Sequence, residues 1–475
     1  MNYPFWDIPY LGSGWVIGLI AIFHVMISQF AVGGGLYLPI AERKAMRMTD
    51  PVMRAAWLAQ LARHSKFFLI LTAVFGTVSG VGIWFAIGLT HPEATSTLIH
   101  NFVFGWAMEW VFFMVELSTV SVYYYTWNRV DEKLHLKVGW VYAGASIATL
   151  VIINGILTFM LTPGDTWLAV AGTGNEASKF WYAFFNPTYW PSLFLRSCVC
   201  ASLAGIWARI TASRIDGDKQ PALKTSLVKW SVKWLVPSFV AMPFLMIWYY
   251  MMVPASQQAL LTLGIDTINA GTFSVVTRMA LVIIVTSATI VGVAYYLAYR
   301  NPVEFNLSHA MAVLLLALMA TGAGEYSREM LRKPYVIGRW MYSNGVRVPY
   351  VQRINQEGYL VHSEWVWNQN QPQSQPGTLP GEPSNYSRGE AIFRGECGSC
   401  HTLSGYRSLN TLLAGRDRAN IGNFIVMLHE DKADSPYHRF MPPMVGTKQD
   451  VDDLANYLNA QVNLQAPKPL LTAKK

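Results

Sequence analysis

The chain has 475 residues, of which 52% are apolar and 13% aromatic, and it carries a formal net charge of +8. Only 13% of the residues are charged, against about 25% in soluble domains, which argues against a mainly cytosolic enzyme. Apolar residues fill positions 14–331, whereas polar residues collect after 333. The composition therefore predicts one large membrane domain and one small soluble domain. In a membrane protein, Lys and Arg are counted separately for each side of the membrane to give the orientation. The net positive charge is therefore not a sign of nucleic-acid binding, and no nucleic-acid partner is expected.

Eight apolar stretches are long enough to cross about 30 Å of hydrocarbon as helices. They cover 14–41, 67–89, 102–127, 138–161, 192–208, 234–252, 273–299 and 308–331. The fifth stretch is short and contains Arg196. The predicted fold is all-α: a polytopic helical bundle of about eight transmembrane helices, followed by a small α-helical domain.

Lys and Arg residues alternate between the predicted connections. The connections 42–66, 128–137, 209–233 and 300–307 together hold 16 of them, whereas the opposite set holds only Lys179. Because basic connections stay in the cytoplasm, the N-terminus and everything after about residue 333 are predicted to lie outside. This orientation is that of a multi-pass protein of the bacterial cytoplasmic (inner) membrane with its C-terminal domain in the periplasm.

The soluble part contains a haem-attachment motif. Residues 397–401 read Cys-Gly-Ser-Cys-His, and CxxCH is the attachment motif of c-type haem. Cys397 and Cys400 can bond both vinyl groups, which places His401 under the iron. The alternatives are a chance occurrence, a redox pair or a zinc pair. Since haem c is attached outside the cytoplasmic membrane, the motif and the predicted topology agree.

About 40 residues later, 440–444 read Phe-Met-Pro-Pro-Met, and an amphipathic helix is predicted from 450 to 458. Together with CxxCH, this pattern resembles class I cytochrome c over roughly 385–465. The resemblance implies that Met441 is the sixth iron ligand, with Met444 as the alternative, and one of the two is expected to be a core residue.

Four segments follow along the chain. Residues 1–334 are predicted to form the transmembrane haem domain and 388–465 the cytochrome c domain. Between them, 335–387 is expected to be a periplasmic cap and linker, because its second half is rich in Gln, Asn, Pro and Gly, a composition typical of flexible tethers. Residues 466–475 are a tail.

Ionisable residues inside membrane spans are costly, so each is a functional hypothesis by default. They are His24, Glu109, Glu116, Arg196, Arg278, Glu325, Arg328 and Glu329. Most are predicted to share a layer near the outer face. Glu109 and Glu116 share a helix face about 10 Å apart, which suggests a proton path. The alternatives are structural ion pairs, such as a Glu with Arg328, and a hydrogen-bonded core residue for His24.

The membrane part resembles subunit I of cytochrome bd quinol oxidases over roughly 10–340. The matching stretches are Phe23-His24 followed by Ala31-Val32-Gly33, Phe75-Gly76 with Ser79-Gly80, Ala107-Met108-Glu109, Glu116-Leu117-Ser118-Thr119, Asn154-Gly155, Asn186-Pro187 and Arg332-Lys333-Pro334-Tyr335. Their order and spacing make the set more specific than any single motif.

The resemblance implies a helical bundle with haems near the outer face. By it, His24 is an axial haem ligand of the oxygen-reducing pair, Glu109 a haem-ligating carboxylate and Glu116 the proton-channel Glu. Two haem b groups are expected, with haem d in place of one as an alternative. The family spaces the two Glu residues by eight, whereas here they are seven apart, so one is shifted or the helix is distorted.

Other positions depart from the family. Leu195-Arg196 stand where the family has the His ligand of its low-spin haem. Met279, beside Arg278, matches the family's Met ligand with a spacing one residue short. The family's Glu in Val-Glu-Ala-Gly-Trp falls at Gly322, and Glu325, one turn on, could serve the same site.

The quinol-binding loop is also reduced, to 253–272, and the cytochrome c domain takes the place of the ninth helix. These changes suggest that quinol entry is degraded and that haem c is a new electron entry.

Three functions are compatible with this pattern. The first is an oxidoreductase, a bd-like terminal oxidase fed through haem c, which reduces oxygen or a similar small acceptor with Glu109, Glu116 and Glu325 at the site. The second is an electron-transfer subunit between membrane haems or the quinone pool and periplasmic cytochromes, without gas chemistry. The third is a passive membrane anchor, and the buried carboxylates argue against it because a simple anchor needs none.

Expected partners are a periplasmic cytochrome as donor or acceptor, the lipid membrane, and a second bd-like subunit or larger respiratory complex.

Overall fold

The structure is a computed structural model that describes residues 6–255, 258–259, 274–363, 366 and 387–464. Most of the predicted loop 253–272, most of the Gln-, Asn-, Pro- and Gly-rich second half of the predicted linker, and the tail 466–475 lie outside the described residues. Helices make up almost all of the regular structure in the described part. The predicted all-α class is confirmed.

Eight helices are long and apolar enough to cross a membrane, which confirms the predicted number. They are α1 (Ser13–Met46), α2 (Pro51–Thr90), α3 (Val103–Tyr125), α4 (Glu132–Leu161), α5 (Tyr189–Ala212), α6 (Pro221–Met252), α7 (Thr277–Tyr299) and α8 (Leu307–Arg332). Several extend beyond the predicted apolar stretches, because a helix continues past the hydrocarbon when its polar ends are capped.

Local capping explains where two of these helices begin. Asp50 accepts hydrogen bonds from the backbone N–H groups of Val52 and Met53 at 2.9 and 3.3 Å, and Pro51 occupies the first helical position of α2. Asp131 accepts from the N–H of Lys133 at 3.0 Å at the start of α4. A carboxylate cap and a proline at the first position are both favourable at helix starts.

Small residues let α1 approach its neighbours closely. A Cβ atom at Gly33 would clash with the backbone carbonyl of Cys200 in α5, and one at Gly35 would clash with the ring of Tyr142 in α4. Glycine at a helix contact allows the backbones to approach, which is how membrane helices pack without a hydrophobic driving force. The Gly33–Gly35 run therefore fixes α1 against α4 and α5.

The described chain forms two compact units that do not follow chain order. One consists of 20–83 and 99–331, and the other of 1–19, 84–98 and the chain from 332 onward. The division of the sequence at 334 and 387 therefore stays a prediction.

Contacts within the second unit join its three segments. The carbonyl of Tyr10 accepts from the N–H of Tyr406 at 2.8 Å. Arg394 pairs with Asp7 at 2.8 Å, and Arg347 lies 3.7 Å from Glu93. The Lys and Arg distribution predicts the N-terminus and the chain after 333 on one side of the membrane, and the contacts of Tyr10 and Asp7 are compatible with that prediction.

The C-terminal part of that unit is built around a single apolar core. Its elements are the antiparallel pair β1 (Tyr335–Ile337) and β2 (Met341–Tyr342), then α9 (Val351–Glu357), α10 (Arg388–Ile392), α11 (Arg418–Glu430) and α12 (Lys448–Leu464). The predicted helix 450–458 is confirmed and is longer. The hairpin has no counterpart among the sequence predictions, because its strands are only three and two residues long.

The glycine packing gives a stability prediction. Substituting Gly33 by Ala should destabilise the bundle by about 1–3 kcal/mol, because overpacking against a backbone carbonyl cannot be relieved by a side-chain rotation. Gly144→Ala in α4 is the control, since nothing lies within 4 Å of its Cβ position. Thermal unfolding in detergent measures both, and equal midpoints for the two variants would contradict the packing account.

Candidate functional site

The CxxCH segment forms a tight turn at the end of α10. The helix continues through a π-helical turn, Phe393–Cys397. The carbonyl of Cys397 then accepts from the N–H groups of Cys400 and His401 at 3.1 and 2.9 Å. One turn thus carries the two thiols that would bond a single haem covalently and the imidazole that would bind its iron.

The orientation of His401 suits an iron ligand. Its Nδ1 lies 3.0 Å from the carbonyl oxygen of Arg407. Because a carbonyl only accepts, Nδ1 carries the proton and Nε2 keeps a free lone pair. Burial lowers the pKa of His401, which favours the neutral imidazole that iron binds.

The two cysteines differ in their surroundings. Burial raises the pKa of the Cys397 thiol. Burial also opposes ionisation of Cys400, but the ammonium of Lys333 and the hydroxyl of Ser399 outweigh it and lower the pKa of that thiol. Lys333 Nζ donates to Cys400 Sγ at 3.3 Å. Within the described ranges, no group of three or more His, Cys, Asp or Glu side chains is placed to hold a metal ion.

The two candidate methionines have different environments. Met444 is 5% exposed and belongs to the apolar core of the domain, and its carbonyl accepts from His429 Nδ1 at 3.0 Å. Met441 is only partly buried. Met444 therefore fills the core position, which leaves the thioether of Met441 as the better candidate for the sixth ligand.

The haem-attachment segment packs against the start of α1. The hydroxyl of Ser13 donates to the carbonyl of Ser399 at 3.4 Å. The ring of Trp15 meets that of Tyr406 edge-on, with centroids 5.7 Å apart. A Cβ at Gly405 would clash with the backbone of Tyr10. The segment between Cys397 and Arg407 is thus held by the first turn of α1 and the residues just before it.

His24 is oriented by α2. Its Nδ1 lies 3.0 Å from the hydroxyl oxygen of Ser79, and that hydroxyl donates to the backbone carbonyls of Phe75 and Gly76. Ser79 therefore accepts from Nδ1–H, which leaves Nε2 available to an iron atom. A Cβ at Gly80 would lie 3.1 Å from the His24 ring. The residues around His24 fit a haem ligand.

Glu109 and Glu116 lie on α3, which is a regular α-helix from Val103 to Tyr125. The seven-residue spacing is therefore not caused by a local distortion. Glu116 is 8% exposed, and the hydroxyl of Thr149 in α4 donates to its carboxylate. The two carboxylates interact electrostatically.

Glu325 belongs to a charge cluster between α5, α6 and α8. Arg328 pairs with Glu325 at 2.8 Å, so the structure agrees with the paired-charge interpretation of Glu325. Arg196 donates from Nε to Ser192 at 3.3 Å and interacts with Glu325, Arg328 and Tyr249. Arg196 is thus bonded to its own helix at Ser192, attracted by the charge of Glu325 and repelled by that of Arg328.

Met279 and Arg278 lie near the start of α7, where Arg278 is exposed and Met279 partly buried. The ligand role of Met279 stays a prediction.

The sequence analysis did not single out Glu42, Tyr123 and His135, which form a buried hydrogen-bonded group in the bundle. A signal was present, because Tyr123 repeats the seven-residue spacing of Glu109 and Glu116.

Two family models match separate parts of the chain. Residues 13–227 match the family model of cytochrome bd terminal oxidase subunit I, and residues 386–461 match that of cytochrome c. The bd oxidase structure from Geobacillus thermodenitrificans shares the fold, with a TM-score of 0.55 and 18% identity, over 68% of this chain and 87% of that one. No curated protein sequence matches the chain.

The methionine assignment gives a direct prediction. In Met441→Ala, the haem c should lose the spectroscopic signature of a sulfur ligand, and its reduction potential should fall, because a Met ligand raises the potential. In the matched variant Met444→Leu, the signature should persist and stability should change by less than about 1.5 kcal/mol. Near-infrared magnetic circular dichroism and a redox titration measure this, and the reverse pattern would assign the ligand to Met444.

Proposed function

We propose that this chain, in which a cytochrome bd terminal oxidase subunit I domain is joined to a cytochrome c domain, is a respiratory oxidoreductase with electron entry through haem c. A periplasmic donor reduces haem c, the electrons pass to membrane haems, and oxygen or a similar small acceptor is reduced.

The observation that carries this proposal is the contact between the CxxCH segment and the start of α1. Ser399 lies inside the motif and accepts a hydrogen bond from Ser13. Cys400 accepts a hydrogen bond from Lys333, the residue directly after α8. A haem attached at Cys397 and Cys400 would be held against the first residues of α1 and the residue that follows α8. A passive anchor would need neither these contacts nor buried carboxylates.

Each of the chain's own residues has a definite part in this proposal. His24 would hold a membrane haem through Nε2, with its ring fixed by Ser79. Glu109 would be the second ligating group, and Glu116 would hold a proton for the site. When bound, that haem would supply the redox and gas-binding chemistry. Glu325 would act through its pairing with Arg328.

The expected cofactors are one covalent haem c and two haem b groups, one of them replaceable by haem d. The expected location is the inner membrane, with the cytochrome c domain in the periplasm. A periplasmic cytochrome and a second membrane subunit are the expected partners.

A second function is favoured by one observation. Arg196 stands at the family's His position and is bonded to Ser192, which leaves no imidazole at that position for a low-spin haem. A chain that has lost this haem could instead exchange electrons between remaining membrane haems and periplasmic cytochromes within a larger complex, without gas reduction.

Carbon monoxide separates the two functions, because it binds only a haem with an open coordination position. The dithionite-reduced protein should show a carbon monoxide difference spectrum, and His24→Ala should abolish most of that signal. His309→Ala, a substitution in the first turn of α8, is the control and should keep it. A wild-type protein without any carbon monoxide signal would favour the electron-transfer subunit.

A further inference from the structure

Glu396 is a buried acid of the C-terminal domain that has no part in the function proposed so far. It directly precedes Cys397, the first of the two haem-attaching cysteines, and is 8% exposed. Its Oε2 accepts a hydrogen bond from the backbone N–H of Val445 at 2.9 Å. Glu396 therefore joins the haem-attachment turn to the end of the Phe-Met-Pro-Pro-Met sequence at 440–444, which we call the methionine segment.

The chain that follows the methionine segment is fixed by three side-chain acceptors. The successive backbone N–H groups of residues 445–447 donate to Glu396, Asn355 and Asp450 at 2.9, 2.8 and 2.9 Å. Asn355 belongs to α9, Asp450 to α12, and Glu396 to the π-helical turn that continues α10. The methionine segment is thus anchored at its C-terminal end to three elements at once.

Glu396 differs from the other two acceptors because its charge has no counter-ion. Asn355 is neutral, and Asp450 pairs with Arg388 at 2.7 Å. In the described part of the chain, Glu396 forms no ion pair, and its Oε1 is buried without a hydrogen-bond partner. Burying an unpaired carboxylate is costly, so this position favours the neutral acid.

The titratable groups around Glu396 come from several elements. Asp450 acts on it from α12. Tyr359 interacts with it from the chain after α9, and Cys397 does so from the same turn, where thioether formation would remove the titratable thiol. From α11, His429 approaches the same stretch but is bonded to the Met444 carbonyl. The charge that reaches Glu396 is therefore negative.

These surroundings change the proton affinity of Glu396. Burial raises the pKa of its carboxyl well above the usual range. The hydrogen bond from Val445 opposes this rise, and the negative charge of Asp450 adds to it. Glu396 thus holds a proton in a pH range in which an exposed glutamate has lost its own.

The redox state of haem c adds a variable charge beside this carboxyl. An oxidised haem iron carries one more positive charge than a reduced one, and a nearby positive charge favours an ionised carboxylate. The interaction is strong because the site is buried, where charges are poorly screened. The pKa of Glu396 is therefore lower when haem c is oxidised and higher when it is reduced.

We propose that Glu396 is the redox-linked proton site of haem c. When haem c gains one electron from its donor, Glu396 takes up one proton from solution. When that electron leaves, Glu396 returns the proton to solution, so charge and protons balance over the cycle. Haem c is then a better electron acceptor in an acidic periplasm. The proposal rests on the proposed haem c and on no property of the membrane haems.

The alternative is a purely structural role, in which Glu396 only holds the backbone N–H of Val445. That role needs an acceptor but no charge. The amide oxygen of a glutamine also accepts a hydrogen bond and does not titrate. Glu396→Gln therefore keeps the structural contact and removes the proton site, which separates the two roles.

The experiment is a redox titration of haem c in the full-length protein from about pH 5 to about pH 9. In the wild type, the reduction potential should fall as the pH rises, by up to about 59 mV per pH unit, the value of a tenfold change for one electron. In Glu396→Gln this fall should be lost, and the potential should stay near the low-pH value of the wild type. Glu430→Gln, at an exposed carboxylate at the end of α11, is the matched control and should keep the wild-type pH dependence.

A wild-type potential that does not change with pH would overturn the proposal, and so would Glu396→Gln with the wild-type pH dependence. If Glu396→Gln does not retain haem c, infrared spectroscopy of the wild-type protein decides. The difference spectrum between reduced and oxidised haem c should show a protonated carboxylic acid that is gained on reduction, and its absence would overturn the proposal.

A failure of the proposed function would look different. Haem staining of the denatured protein detects covalently attached haem independently of the titration. A protein without covalent haem would overturn both the proposed electron entry and the role of Glu396. A covalent haem with an unchanged pH dependence in Glu396→Gln would overturn the role of Glu396 alone.

Discussion

Burying an ionisable side chain among membrane helices is costly unless it finds a partner, and this constraint orders the polar residues of the bundle. Glu325 is paired with Arg328, Glu116 is bonded to Thr149, and Glu42 to His135 and Tyr123. The partners are not scattered. One set joins α1, α3 and α4, and the other lies within α8.

The second constraint is that electrons need a continuous route between cofactors. The unit that contains the CxxCH segment also contains the first residues of α1 and the segment 84–98, which includes the end of α2. Its hydrogen bonds to Ser13 and Lys333 fix the haem-attachment turn to two membrane-helix ends. A cytochrome held on a long tether alone would have no such fixed position.

Much of the architecture could be predicted because the signals were local. Hydropathy predicted eight membrane helices, and the CxxCH motif predicted the segment to which haem c is attached. The burial of Met444 and the pairing of Glu325 depend on tertiary packing, so the sequence left both open. The group at Glu42, Tyr123 and His135 was missed because its members lie far apart in the chain and near span ends, where ionisable residues are common. The seven-residue spacing of Tyr123 from Glu116 would have revealed one of them.

The central claim is that electrons enter the membrane haems through haem c. Its most direct test is stopped-flow reduction of the membrane haems by a small reduced periplasmic-type cytochrome, in the wild-type protein and in a Cys397→Ser/Cys400→Ser variant that lacks haem c. The variant must keep the wild-type spectrum of its membrane haems when dithionite reduces them. We predict fast reduction in the wild type, with haem c reduced first, and a loss of at least about a hundredfold in rate in the variant, equivalent to about 2.7 kcal/mol in the activation barrier. Membrane haems that are reduced at the same rate without haem c would contradict the account.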